Sequence, residues 1–337
     1  MNLYESIAKA VLFVALMLMV GAPATAIGIA RPVLRKAGYA ANALDAPLRR
    51  LLILAVVCAL LGSIGLFIAQ VIPLELDFTT ANEWREFVLG TLLGKTMLLR
   101  AGFCMAGLLV LIAIRGDVSL WLCAGFGQMC YVTLSRTSHT YAMDSGTLSF
   151  VADFAHLIGG GAWGGGLVVL VMTMPVILRS NDETTVTQAT AHLIQRFSLL
   201  GIFGVALVSS TGLWLSTRHI SEAGKLASSL YGNFLVMKVT GVAAAVALAG
   251  LHKFVAERTM RTRTNAITFA RSVRLEAAIV IAVFFAAALL TSAPPAHKMG
   301  ADKTQTTLFH RLLMTSAICV GIAGGIALVV EIRQRAK

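Results

Sequence analysis

The sequence predicts an all-α fold, a polytopic bundle of about nine transmembrane helices. Three observations carry this. Of the 337 residues, 57% are hydrophobic and only 13% charged, and mean hydropathy is +0.81, well beyond a globular chain that must face water. Apolar runs of about 20 residues, enough to cross roughly 30 Å of hydrocarbon, recur along the whole length. The basic residues collect in alternate loops between these runs.

Taken in order, the runs cover about residues 8 to 30, 50 to 72, 89 to 114, 118 to 138, 150 to 178, 197 to 216, 233 to 252, 276 to 293 and 308 to 330. The first, "VLFVALMLMVGAPATA", looks like a signal peptide with a small-residue end at Ala24 and Ala26. Cleavage there would strand the cations that follow on the wrong side, so it is read as an uncleaved helix. Arg31, Arg35, Lys36, Arg49 and Arg50 follow this span, Lys253, Arg258, Arg261, Arg263, Arg271 and Arg274 follow the seventh, and Arg333, Arg335 and Lys337 close the chain. The positive-inside rule places these loops in the cytoplasm, the N-terminus outside and the C-terminus inside. The same alternation explains the net charge of +12 without nucleic acid. The loops are short, so the chain reads as a single integral membrane domain over 1–337. The five cysteines, Cys58, Cys104, Cys123, Cys130 and Cys319, lie scattered within spans and form neither a disulfide framework nor a zinc motif.

An ionisable side chain in hydrocarbon is costly, so each one asks for a partner or a function. The densest group lies around the connection from the fourth span to the fifth: Arg136, His139, Met143, Asp144, Asp153 and His156. His139 and Met143 are four apart and Asp153 and His156 three apart, so each pair can share a helical face. A neutral imidazole with a carboxylate one turn above it suits a metal, with the aspartate as ligand or orienting partner. It equally suits a structural hydrogen bond between packed helices. Met143 adds a thioether, the soft donor that suits Cu(I). On the inner side His192 and His252 could hold a haem between helices, or could simply sit near phosphate headgroups. Lys95, Arg100 and Lys238 lie within spans near the outer side and read as interfacial anchors, although such cations could also regulate ions in an outer vestibule. Glu276 opens the eighth span and is expected to pair with the basic loop before it.

Directly after His156 come six glycines in eight residues, "GGGAWGGG". Without a hydrophobic force between helices in lipid, small residues let backbones touch, and Gly160 with Gly164 and Gly161 with Gly165 form overlapping small-x-x-x-small patterns. A close helix contact below the Asp and His pair is expected. The "GTLLGKT" segment at Gly90–Thr96 has one residue too few between its glycines to be a phosphate-binding loop.

The order of His139, "D-x-x-H" at Asp153 and His156, "WGGGL", "RFS" at Arg196–Ser198, "TG" at Thr211 and Gly212, "YGNFLVMK" at Tyr231–Lys238 and "TSAPP" at Thr291–Pro295 resembles the copper-resistance protein D (CopD) family. The upstream "LLGKTMLLRAG" fits as well. The resemblance implies N-terminal helices over 1–88, a CopD-like core over 89–297 and a C-terminal helix over 298–337. It implies a bacterial inner-membrane protein of copper homeostasis and resistance that moves copper toward the cytoplasm beside a periplasmic copper-binding protein of the CopC type. That is a transporter rather than an enzyme. Ligand positions carry over to His139, Asp153 and His156. Two departures stand out: Ser138-His139-Thr140 where the family often has Gly-His-Ala, and His252-Lys253 where it has an Asn-Arg pair. The second keeps an alternative open, a haem b-binding membrane oxidoreductase with His139 and His156, or His192 and His252, as axial ligands.

Overall fold

A computed structural model describes residues 3–40, 42–137, 147–219 and 230–293, with the side chains of 216–219 and 255–257 left aside. His139, Met143, Asp144, Cys319 and the ninth expected span lie outside the described residues, and so does the side chain of His219. What is described is helical throughout, and eight helices are long and apolar enough to cross a membrane. They coincide with the first eight apolar runs.

The first span is α1 (Leu3–Thr25), continued through a wide π turn (Ala26–Ala30) into α2 (Arg31–Lys36). Pro23, which cannot donate to the helical ladder, lies just before that turn. Then follow α3 (Asp45–Val71), a short α4 (Ala81–Gly90), α5 (Leu92–Ala113), α6 (Asp117–Arg136), α7 (Thr147–Ile177) and α8 (Glu183–His219). The series ends with α9 (Leu230–Leu251), a π turn (His252–Ala256), the single turn α10 (Glu257–Thr259) and α11 (Arg263–Ser292).

Helix α1 is the axis of the bundle. It packs on α3, α6, α7 and α11, while the outer helices α5, α8 and α9 complete the ring. Leu12, Leu16, Met17, Met19 and Ala22 on α1 are fully buried. The segment that looks like a signal peptide is therefore the helix around which the others assemble. Its methionines act as packing: Met17 lies against Gly164, and Met19 against Gly127.

The glycine run makes the expected close contact, and with two helices rather than one. A Cβ on Gly21 of α1 would fall 1.9 Å from the Gly161 carbonyl oxygen, and one on Gly165 would fall 2.5 Å from the Met17 carbonyl oxygen. On another face of α7, a Cβ on Gly159 would lie 3.1 Å from the Gly204 carbonyl oxygen of α8. Backbone touches backbone on both sides, so dispersion and short approach replace the missing hydrophobic drive.

At the Arg-rich end several cations are structural. Arg31 bonds Asp45 at 2.7 Å and also Asp117. Arg49 donates to the carbonyls of Ile114 and Ile112 at 2.9 and 3.0 Å, and Arg263 donates to those of Leu178 and Ser180. These are the open carbonyls at the C-terminal ends of α5 and α7, where positive charge is favoured.

Sequence reading missed α4, a ten-residue helix too short and too polar to register as a span. A capping box starts it: Thr80 Oγ1 accepts from the Glu83 backbone N–H at 3.3 Å, and the Glu83 carboxylate accepts from the Thr80 backbone N–H at 2.7 Å. Phe78, Trp84 and Phe87 cluster edge to face or tilted, with Phe67 of α3 against Phe87. Such an aromatic face on a short polar helix suits the membrane interface.

Candidate functional site

A cavity of about 340 Å³ lies among seven spans at the end of the bundle opposite the arginine clusters. It is framed by the beginnings of α1, α7 and α9 and the ends of α3, α6, α8 and α11, so alternating helix directions bring widely separated residues together. Leu157, Trp163, Val208, Leu235, Val280 and Phe284 make most of the wall apolar. Into it project Glu5, Lys9, Asp153, His156 and Lys238.

His156 lies nine residues into α7, about 13 Å along the helix axis. Its Nδ1 is 3.1 Å from Thr211 Oγ1 on α8, and its Nε2 is 3.2 Å from Lys238 Nζ on α9. Thr211 donates its own hydroxyl hydrogen to the Leu207 carbonyl one turn earlier. The Thr211 oxygen is thus the acceptor for an Nδ1–H, which leaves the imidazole lone pair on Nε2, turned toward Lys238. Gly212 makes room for the ring: a Cβ there would lie 3.1 Å from His156 Cε1. The "TG" pair has a physical meaning, the threonine as acceptor and the glycine as clearance.

Asp153, one turn before His156, lines the same cavity and lies within electrostatic reach of Lys238. Across the cavity Lys9 Nζ pairs with Glu5 Oε1 at 2.8 Å and donates to the Thr291 carbonyl at 2.9 Å, tying the start of α1 to the end of α11. The i,i+4 spacing of Glu5 and Lys9 was visible in the sequence, but at the mouth of a first span it reads as a solvated helix start. Lys238, expected as an interfacial anchor, instead points inward. Arg100 is likewise buried, with Nε on Thr133 Oγ1 at 2.9 Å, whereas Lys95 is exposed as an anchor should be. Only two of the residues expected to meet a metal, Asp153 and His156, lie among those described, and no group of three His, Cys, Asp or Glu side chains forms among them.

Near the other end, His252 is buried. Its Nδ1 pairs with Glu276 Oε2 at 2.9 Å, its Nε2 is 2.7 Å from Ser272 Oγ, and its ring packs edge-on to Phe269. Glu276, 1% exposed, thus pairs from α11 with the first residue of the π turn after α9. Both nitrogens of His252 are engaged, so axial ligation of a haem iron would displace one of these two partners. His192 lies half-buried on α8.

These features define a multi-pass helical membrane protein with an ionisable cavity at one end of the bundle. Two family models match it: copper resistance protein D over residues 191–290, and copper resistance protein D-like, N-terminal domain, over residues 4–150. The chain belongs to the copper resistance protein D family. The copper transport protein CutJ of Bacillus subtilis (strain 168) is 25% identical over 251 residues, which are 69% of this chain and 44% of that protein. The chain thus spans less than half the length of this curated relative. Among solved structures, the bd oxidase from Geobacillus thermodenitrificans overlays 99% of this chain and 100% of its own chain, with a TM-score of 0.49 and 11% identity, a likeness too loose to bear on function.

Proposed function

We propose that this protein transports copper across the bacterial inner membrane, toward the cytoplasm, and that the cavity is where the ion first leaves water. The carrying observation is His156: an imidazole inside the bundle with Nδ1 held 3.1 Å from Thr211 Oγ1 and Nε2 turned into a cavity that also holds Asp153. Fixing one nitrogen by a hydrogen bond is how a protein orients the other toward a metal. Family membership and the likeness to a copper transport protein support copper as the cargo.

In this reading His156 is a ligand and Asp153 the nearby anion, with His139 and Met143, outside the described residues, completing the set. The cavity faces the outside because the arginine clusters mark the opposite end as cytoplasmic. A periplasmic copper-binding protein of the CopC type would deliver the ion there. No covalent step is needed, so the protein acts as a transporter; the ion is held weakly enough to move on. The test is copper accumulation in sealed vesicles: His156→Ala abolishes it while the protein still folds and inserts. Uptake that survives the change overturns the site.

A further inference from the structure

The place beside His156 Nε2 is already taken by a lysine. Lys238 Nζ stands 3.2 Å from Nε2, the only ring nitrogen with a lone pair once Thr211 has taken the Nδ1–H. Asp153 supplies the opposite charge from one turn above on α7. Imidazole lone pair, positive charge and carboxylate are the parts of a monovalent metal site, with an ammonium in the metal's place.

We propose that Lys238 is a resident stand-in for the transported ion: its ammonium fills the place at His156 Nε2 that Cu(I) takes, and it withdraws when Cu(I) arrives. This rests on the copper reading above. Three features support the exchange. The first is charge. Among the described residues lining the cavity, Glu5 and Lys9 balance each other at 2.8 Å, which leaves Asp153 to balance whatever sits at Nε2. Exchange of an ammonium for a monovalent ion keeps that balance, whereas a divalent ion leaves an excess charge in a largely apolar cavity. The second is chemistry, since imidazole nitrogen is a ligand copper accepts and an amine hydrogen bond to it is readily replaced. The third is mobility of the carrier. Lysine has four methylenes that can slide along the apolar wall, and α9 packs chiefly on α11, with little against α8. Lys238 therefore keeps the site occupied when no metal is present and drives the ion onward by returning.

The experiment is Cu(I) binding to the purified full chain in detergent, under reductant and against a competing chromophoric chelator. Lys238→Leu, which keeps apolar bulk, removes the charge and adds no donor atom, is expected to tighten Cu(I) binding at least tenfold, and adding His156→Ala to abolish that binding. Copper release in vesicles should slow in the same variant. Should Lys238→Leu fail to fold, Lys238→Gln serves. A merely structural lysine would not give tighter binding on removal, so unchanged or weaker binding that still depends on His156 overturns the stand-in. Binding that ignores His156 in both backgrounds overturns the copper site itself. For the charge match, Ag(I) should compete with Cu(I) in the wild type while equimolar Zn(II) does not; competition by Zn(II) overturns the monovalent exchange.

Discussion

Thr211 and His156 lie 3.1 Å apart across the α7 and α8 interface, and because the Thr211 hydroxyl donates to the Leu207 carbonyl, it is the threonine oxygen that takes the imidazole Nδ1–H. A hydroxyl on one helix thereby sets which nitrogen of a histidine on another faces the cavity. The ring's orientation is a tertiary property.

Removing that acceptor should release the ring without removing the imidazole. Thr211→Val is expected to lower Cu(I) affinity by about 10-fold to 100-fold, the usual loss when a residue orienting a ligand is removed, while Thr211→Ser stays within a few fold of wild type. A chelator-competition titration measures both. Equal affinities for Val and wild type would show that Thr211 does not orient the ring.

The α1 and α7 contact should be intolerant of a single methyl. Gly21→Ala puts a Cβ 1.9 Å from the Gly161 carbonyl oxygen, and two helices must part to admit it. A loss of about 3 kcal/mol is expected, at the upper end for overpacking, read as a lower thermal unfolding midpoint in detergent. Gly102→Ala on α5, where nothing lies within 4 Å, is the control and should be neutral or slightly stabilising.

The His252 and Glu276 pair predicts an asymmetry between breaking and replacing. Glu276→Leu alone leaves His252 Nδ1 without its 2.9 Å partner, and a buried polar group left unsatisfied costs about 1–3 kcal/mol. His252→Phe combined with Glu276→Leu should recover most of that loss. Unfolding of the two single variants and the double variant checks it, and additive losses would show that the pair does not act as a unit.

The α4 cap gives a pH dependence. The backbone N–H groups of Thr80 and Thr79 hold the Glu83 carboxyl below its ordinary range. A carboxylate with a depressed folded value contributes stability that is complete above its unfolded pKa, about 4.3, and that fades as pH falls through the lower folded value. The hydrogen-exchange protection factors of the α4 amides, corrected for the intrinsic pH dependence, should therefore fall below about pH 4 in the wild type and show no such dependence in Glu83→Gln.

Most of the architecture was legible because membrane insertion leaves a one-dimensional record. Eight apolar runs became eight spans, and the "GGGAWGGG" run became a close contact, since only glycine permits the approach at Gly21 and Gly161. Asp153 and His156 were legible as a pair because three residues is nearly one helical turn. Their partners were not. Lys238 lies 82 positions from His156 and Thr211 lies 55, and nothing local distinguishes a lysine that reaches headgroups from one that turns inward. Glu276 misled for the same reason: the nearest cations in sequence were not its neighbours in space.

By itself the sequence determined that this is a helical membrane protein, where its spans lie, which few ionisable residues must be accommodated inside, and which family it resembles. These follow from composition, run length and local spacing, quantities that need no knowledge of which helix lies beside which. Only the tertiary structure decided that α1 is the axis, that Glu5 and Lys9 share a cavity with Asp153 and His156, and that Lys238 occupies the histidine's open nitrogen. The reason is physical: in lipid every helix is apolar around most of its surface, so the face that meets a neighbour is set by steric fit and by the few polar groups that must find one another, and these are relations between residues far apart in the chain.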